Sequence, residues 1–154
     1  MIDCRIKRFG MRIRNLHYNK GRGRRIVKKL TVKSGTTCMA CLECMVACSV
    51  AFYKEFDLNK SCIQVLANGN GADPVTCNQC GKCAEVCEFG AITQNPKGIF
   101  MINKKLCTAC GKCVEACPDH LIVKPSVTSI ASKCIACGIC ARACPEGVLE
   151  VVDI

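Results

Sequence analysis

The stretch CMACLECMVACSVAFYKEF, residues 38–56, sets cysteines at positions 38, 41, 44 and 48 and then runs to Phe56 without a proline or glycine. Its spacing, C-x2-C-x2-C-x3-C, recurs three times. Motif I is Cys38, Cys41, Cys44 and Cys48; motif II is Cys77, Cys80, Cys83 and Cys87; motif III is Cys107, Cys110, Cys113 and Cys117; motif IV is Cys134, Cys137, Cys140 and Cys144. Of 18 cysteines only Cys4 and Cys62 fall outside the repeat, and both are expected to be reduced thiols. Pro118 and Pro145 follow the fourth cysteine of motifs III and IV, where motif I has Ser49.

Such a density of thiols in 154 residues means disulfides or metal. The chain has no Trp, two Tyr and five Phe, so its conventional apolar core is thin and another source of stability is needed. A secretory leader would show an apolar run of roughly 7–15 residues behind its basic start. Here charges interrupt the sequence up to Lys33, and no run reaches the ~18 apolar residues of a membrane span. A cytoplasmic, soluble chain is therefore expected, in which thiols stay reduced and clustered cysteines bind metal.

The spacing selects the metal. Zinc sites use two separated C-x2-C pairs, often with histidine, and His17 and His120 keep no spacing to the motifs. Three cysteines at intervals of three wrap one side of a cubane 4Fe–4S cluster. The fourth, on a rising helix, faces away and serves a second cluster. Gly81, Gly111 and Gly138 follow the second cysteine of motifs II to IV, where a missing Cβ lets the backbone approach a cluster. Four [4Fe-4S] clusters are expected, with all sixteen motif cysteines as ligands.

Between the motifs, Ala91–Thr93, a turn at Asn95-Pro96-Lys97-Gly98 and Ile99–Ile102 read as a β-hairpin. Gly147–Val152 reads as a closing strand, with weaker strands at residues 26–32 and 63–66. Asn68–Pro74 reads as an exposed loop, and Met45 to Phe56 as one helix carrying Cys48. The fold class is α+β, with two bacterial-type 2[4Fe-4S] ferredoxin modules built from short helices and β-hairpins. The modules are either tandem (I with II, III with IV) or nested (II with III, inserted between I and IV). Intervals of 29, 20 and 17 residues separate successive motifs, and the compact hairpin makes II–III look self-contained.

Motif I without its proline, the run Pro74-Val75-Thr76-Cys77-Asn78-Gln79-Cys80, the hairpin and Cys117-Pro118 carry a resemblance over roughly residues 26–154. The chain resembles the four-cluster iron–sulfur subunits of the dimethyl-sulfoxide-reductase and formate-dehydrogenase type. It is also similar to small subunits of tungsten aldehyde oxidoreductases, carbon monoxide dehydrogenase and hydrogenases. The resemblance implies nesting, with one cluster on Cys38, Cys41, Cys44 and Cys144 and a second on Cys134, Cys137, Cys140 and Cys48. A third would sit on Cys77, Cys80, Cys83 and Cys117, and a fourth on Cys107, Cys110, Cys113 and Cys87. The implied division is a basic extension at 1–33, an outer module at 34–72 and 118–154, and an inner module at 73–117. Uniform motif spacing keeps a tandem polyferredoxin as the competing topology.

No nucleophile beside a base and no phosphate-cradling loop is legible; Gly21-Arg22-Gly23 and Asn68–Gly71 precede no helix signal. The expected role is an electron-transfer subunit without a substrate site. Its clusters would relay electrons between a larger catalytic oxidoreductase subunit, such as a tungsten or molybdenum pterin enzyme, and an external donor or acceptor. Further copies of the chain, or a flavin or ferredoxin protein, are additional candidate partners.

Charge is lopsided: residues 1–33 hold 12 Lys/Arg and one acid, Asp3, whereas residues 34–154 hold 10 Lys/Arg and 11 Asp/Glu. This arm either neutralises its own module or docks on an acidic partner. A third reading has Arg5, Lys7, Arg8, Arg12, Arg14, Arg22, Arg24 and Arg25 gripping phosphates while Phe9, His17 and Tyr18 stack on bases. Nucleic acid is disfavoured, because four clusters exceed what a structural role needs. His120 is expected at a surface turn, and Lys82 and Lys112 as exposed cations able to tune a nearby cluster.

Overall fold

A computed structural model describes residues 26–69 and 71–154. The basic arm up to Arg25, with Cys4, Phe9, His17, Tyr18 and Gly21-Arg22-Gly23, lies outside the described residues, as does Asn70 of the 68–74 stretch.

Strand β1 (Lys28–Val32) precedes motif I and pairs antiparallel with β6 (Leu149–Asp153), which follows motif IV. Leu30, opposite Val151, turns into the core and is only 2% exposed. Helix α1 (Glu43–Tyr53) carries the third and fourth cysteines of motif I. Its buried stripe is Cys44, Met45, Cys48 and Ser49, while Val50 faces solvent.

The helix stops short of the expected Phe56. Lys54 takes a left-handed conformation (φ 61°) and donates its N–H to the Val50 carbonyl, the closing device of many helices. Two bonds then fold the chain back: the Ser49 hydroxyl accepts from the Asp57 N–H at 3.4 Å, and the Asp57 carboxylate accepts from the Asn59 N–H at 2.9 Å. A single 3₁₀ turn (Leu58–Lys60) follows and delivers Cys62 to the side of Cys48.

Strands β2 (Gln64–Asn68) and β3 (Gly71–Val75) form a hairpin. The exposed loop expected at 68–74 is thereby corrected: only its tip turns, and Gly71 to Pro74 lie in a strand. Pro74 pairs opposite Val65 without needing an N–H because the sheet has only two strands, so neither is enclosed on both sides. Ala72 is buried and forms an isolated bridge to Cys38.

Helices α2 (Lys82–Glu85) and α3 (Lys112–Glu115) flank the expected hairpin, β4 (Ile92–Gln94) and β5 (Phe100–Ile102). Gly98 closes its turn at φ +74°, and a Cβ there would fall 2.7 Å from the Val27 Cα. This close approach, with the Lys28 N–H on the Lys97 carbonyl at 2.9 Å, seats the hairpin turn against the start of β1. Helix α4 (Ile139–Ala143) leads into β6.

Packing is selective. Helix α1 packs on α4, and α2 packs on α3. One core gathers Leu30, Met45, Ile63, Val123 and Leu149 with Cys44, Cys48, Cys62, Cys134 and Cys140. The other gathers Cys83, Cys113, Ile92, Ile122 and Ala131. The architecture is a small mixed α/β protein of short helices and strand hairpins. No helix among the described residues is long and apolar enough to cross a membrane.

Candidate metal centres

Each motif folds its first three cysteines in the same way. The residue before the second cysteine is left-handed in all four copies: Ala40, Gln79, Ala109 and Ala136, with φ between 50° and 58°. So is the residue after it, namely Leu42 in motif I and Gly81, Gly111 and Gly138 in the others. Such alternation turns successive N–H groups into a concavity suited to an anionic iron–sulfur group. Motif I accepts this backbone with Leu42 at φ 63°, so its lack of glycine does not change the loop. Gly81 is a stricter position, because a Cβ there would meet the Phe100 ring at 2.8 Å.

The second cysteine of every motif, Cys41, Cys80, Cys110 and Cys137, is exposed, and the third, Cys44, Cys83, Cys113 and Cys140, is buried. The loops thus present one face to solvent and one to the core.

The structure brings the thiols together in sets of three plus one. Cys77, Cys80 and Cys83 line one recess with Cys117. Cys134, Cys137 and Cys140 line a second with Cys48. Cys107, Cys110 and Cys113 line a third with Cys87. Cys44 lies within electrostatic reach of Cys38, Cys41 and Cys144. In each set, therefore, the last thiol comes from a different motif. No three Cys, His, Asp or Glu side chains among the described residues converge closely enough for a single metal ion. Four thiols set around a recess, too far apart to converge on one ion, fit the donor set of a cubane cluster.

Charge contacts also run between the sets. Cys140 feels Cys44, Cys134 feels Cys77, and Cys83 feels Cys113. Motif I thus lies within electrostatic reach of motif IV, motif IV of motif II, and motif II of motif III.

Burial dominates the acid–base state of these thiols. It pushes Cys44, Cys83 and Cys134 up to about 11 and Cys140 to about 12, with neighbouring thiols adding repulsion. A buried thiolate is costly without a cation beside it, so iron binding and deprotonation go together. Cys48 moves the other way, to about 6, chiefly because the Cys62 thiol hydrogen-bonds to it. The same pairing and burial raise Cys62, which keeps the proton.

Three of the fourth cysteines, Cys48, Cys117 and Cys144, accept N–H···S bonds. The Leu121 N–H reaches the Cys117 Sγ at 3.4 Å, and the Val148 N–H reaches the Cys144 Sγ at 3.4 Å, each four residues along the chain. Pro118 and Pro145 stand inside those turns. Cys48 continues in a helix instead, and its bond comes from the Cys62 N–H at 3.3 Å.

Among the smaller expectations, His120 is an exposed turn residue whose carbonyl accepts from the Gln64 amide. Lys82 is exposed, and Lys112 is half exposed and pairs with Glu88 at 2.6 Å. Cys62, expected within a strand of residues 62–65, lies in a bend just before β2, is almost wholly buried and lines the recess of motif IV. The sequence reading missed Lys133 and the side chain of Gln79, which are buried, line the recess of motif II and donate to the Cys134 carbonyl at the start of motif IV. No local signal marks a lysine before a cysteine as buried.

The family model of the 4Fe-4S dicluster domain matches residues 76–122 and 107–149. The first match takes in motifs II and III and the second motifs III and IV; motif I lies outside both. A match along the sequence reads the spacing of successive motifs and does not choose partners for fourth cysteines. No curated protein matches the chain.

Proposed function

We propose that this chain, which carries 4Fe-4S dicluster domains of ferredoxin type over residues 76–149, is an electron-transfer protein that holds four clusters and serves a catalytic oxidoreductase subunit. When bound, a cubane cluster takes up and gives back one electron, at a potential set by its surroundings. The chain's own residues hold, insulate and orient these groups. The observation that carries the reading is the gathering of motif cysteines around recesses of the fold, four thiols lining each of three of them.

The ligand sets proposed are the four three-plus-one groups, which amounts to a nested arrangement. The first set is Cys38, Cys41, Cys44 and Cys144, and the next is Cys134, Cys137, Cys140 and Cys48. Then come Cys77, Cys80, Cys83 and Cys117, and finally Cys107, Cys110, Cys113 and Cys87. Pairing of β1 with β6 and of α1 with α4 supports motifs I and IV as one module enclosing the other. Buried third cysteines keep water from one side of each site, while exposed Cys41, Cys80, Cys110 and Cys137 leave short routes to a partner's surface.

The partner is proposed to be a larger catalytic subunit, on the resemblance carried by Pro74–Cys80 and Cys117-Pro118 and on the surplus of charge in residues 1–33. Anaerobic purification tests both parts. About 16 Fe per chain, together with a large subunit co-eluting at fixed stoichiometry, is expected. An iron content near half of that overturns the cluster count, and a fully redox-active chain eluting alone overturns the partner.

A further inference from the structure

Lys133 is 3% exposed, yet no carboxylate among the described residues forms an ion pair with it. Its Nζ donates to the Gln79 Oε1 at 2.8 Å, the Phe100 carbonyl at 2.9 Å and the Cys134 carbonyl at 3.1 Å. An ammonium has three N–H donors and no acceptor, so three oxygens satisfy it completely in the charged form. All three oxygens are neutral. A buried cation with no ion partner is costly to desolvate, and a nearby anion offsets that cost.

Lys133 lines the recess of Cys77, Cys80, Cys83 and Cys117, and it directly precedes Cys134 of the neighbouring set. The thiol sets lie beside this lysine, and Asp119, a carboxylate lining the same recess, forms no ion pair with it. Gln79 fixes it there: the Gln79 Nε2 donates to the Cys134 carbonyl at 3.1 Å, and its Oε1 also accepts from the Phe100 N–H at 3.1 Å. An amide at position 79 holds the ammonium without neutralising it, which a carboxylate would do. Lys82 and Lys112 differ in kind, because both lie in solvent, where a charge is screened.

We propose that Lys133 is a buried tuning charge between two iron–sulfur sites, stabilising the electron on the groups held by Cys77, Cys80, Cys83 and Cys117 and by Cys134, Cys137, Cys140 and Cys48. The inference rests on the cluster reading above. Reduction adds one electron to an oxidised cluster and no proton. These two sites thereby hold an electron more readily than the set of Cys107, Cys110, Cys113 and Cys87, which Lys133 does not line.

The test is an anaerobic potentiometric titration of the full chain with dithionite as reductant, followed by electron paramagnetic resonance, with iron measured on each sample. Lys133→Met removes the charge. Gln79→Glu neutralises it while keeping the lysine, so the pair remains informative if the methionine variant folds poorly. Both are expected to lower the reduced-to-oxidised ratio of at least one signal about tenfold at fixed potential, equivalent to about 59 mV for one electron. Lys105→Met, which removes an exposed cation, is expected to change it less than twofold. Iron-loaded Lys133→Met or Gln79→Glu with every midpoint unchanged overturns the proposal. So does loss of iron from both variants beside a loaded wild type, which makes Lys133 a structural residue. A wild-type chain without iron would instead overturn the cluster reading on which the proposal stands.

Discussion

The backbone N–H of Cys62 donates to the Sγ of Cys48 at 3.3 Å across a sequence separation of 14 residues. This bond replaces the one that Leu121 and Val148 make four residues beyond Cys117 and Cys144. The residue four beyond Cys48, Phe52, spends its N–H within α1. Cys62 supplies the missing donor because the turn after Lys54 returns it to the same place.

Cys62→Ala keeps the backbone donor but deletes the thiol that bonds to Cys48. Stability is expected to fall by about 1–3 kcal/mol, from a lost buried hydrogen bond and the small cavity left behind. Iron should also leave faster to a chelator in the step assigned to motif IV. Chelation kinetics matching wild type in every phase would refute a supporting role for this thiol.

Cys48→Ser separates the two ways of pairing motifs. With Cys48 on the recess of Cys134, Cys137 and Cys140, the variant is expected to lose up to about a quarter of the iron, or to alter one signal, and that signal should respond equally to Cys137→Ser. A change shared instead with Cys80→Ser would establish the tandem pairing.

Gly98→Ala strikes the seat between hairpin and β1. At φ +74° an alanine pays the left-handed strain of about 1–2 kcal/mol, and its Cβ meets the Val27 Cα at 2.7 Å, where neither backbone yields cheaply. Gly35→Ala has similar strain, φ +77°, but nothing within 4 Å. Thermal melting should therefore place Gly98→Ala clearly below Gly35→Ala; equal midpoints would show that the contact relaxes freely.

Removing iron should loosen the whole molecule, because half of one core is cysteine. In the metal-free chain the raised thiols impose a direction with pH. Folded values near 11 for Cys44, Cys83 and Cys134 lie above the ordinary 9.0, so the folded state binds more protons between these limits. Their contribution is present below pH 9 and is lost as pH rises through about 11. Circular dichroism of the chelated chain against pH should show structure lost over that window, and structure that strengthens with alkali would contradict it.

Much of this was legible in the sequence, and unevenly so. The four motif loops were plain, because their geometry is local: three cysteines at fixed spacing force one backbone shape, which even Leu42 adopts. The β4–β5 hairpin was legible for the same reason, since Asn95-Pro96-Lys97-Gly98 punctuates a turn. The stretch 68–74 misled because its Asn, Gly and Pro mark a turn without saying how short it is; the register with Gln64–Asn68 makes most of it strand. The end of α1 was hidden, as Tyr53-Lys54 holds neither Gly nor Pro, and the bond between Ser49 and Asp57 belongs to the folded chain.

The sequence by itself determined the repeated motif loops and the short elements between them, since spacing and turn residues act within a few positions. The tertiary structure shows that Cys48 lines a recess with Cys134, Cys137 and Cys140, that Cys62 donates to it there, and that Lys133 lies buried beside the recess of motif II. Those relations join residues far apart in the chain. They arise when β1 meets β6 and α1 meets α4, and burial, which no local spacing encodes, then turns an ordinary lysine into an enclosed charge.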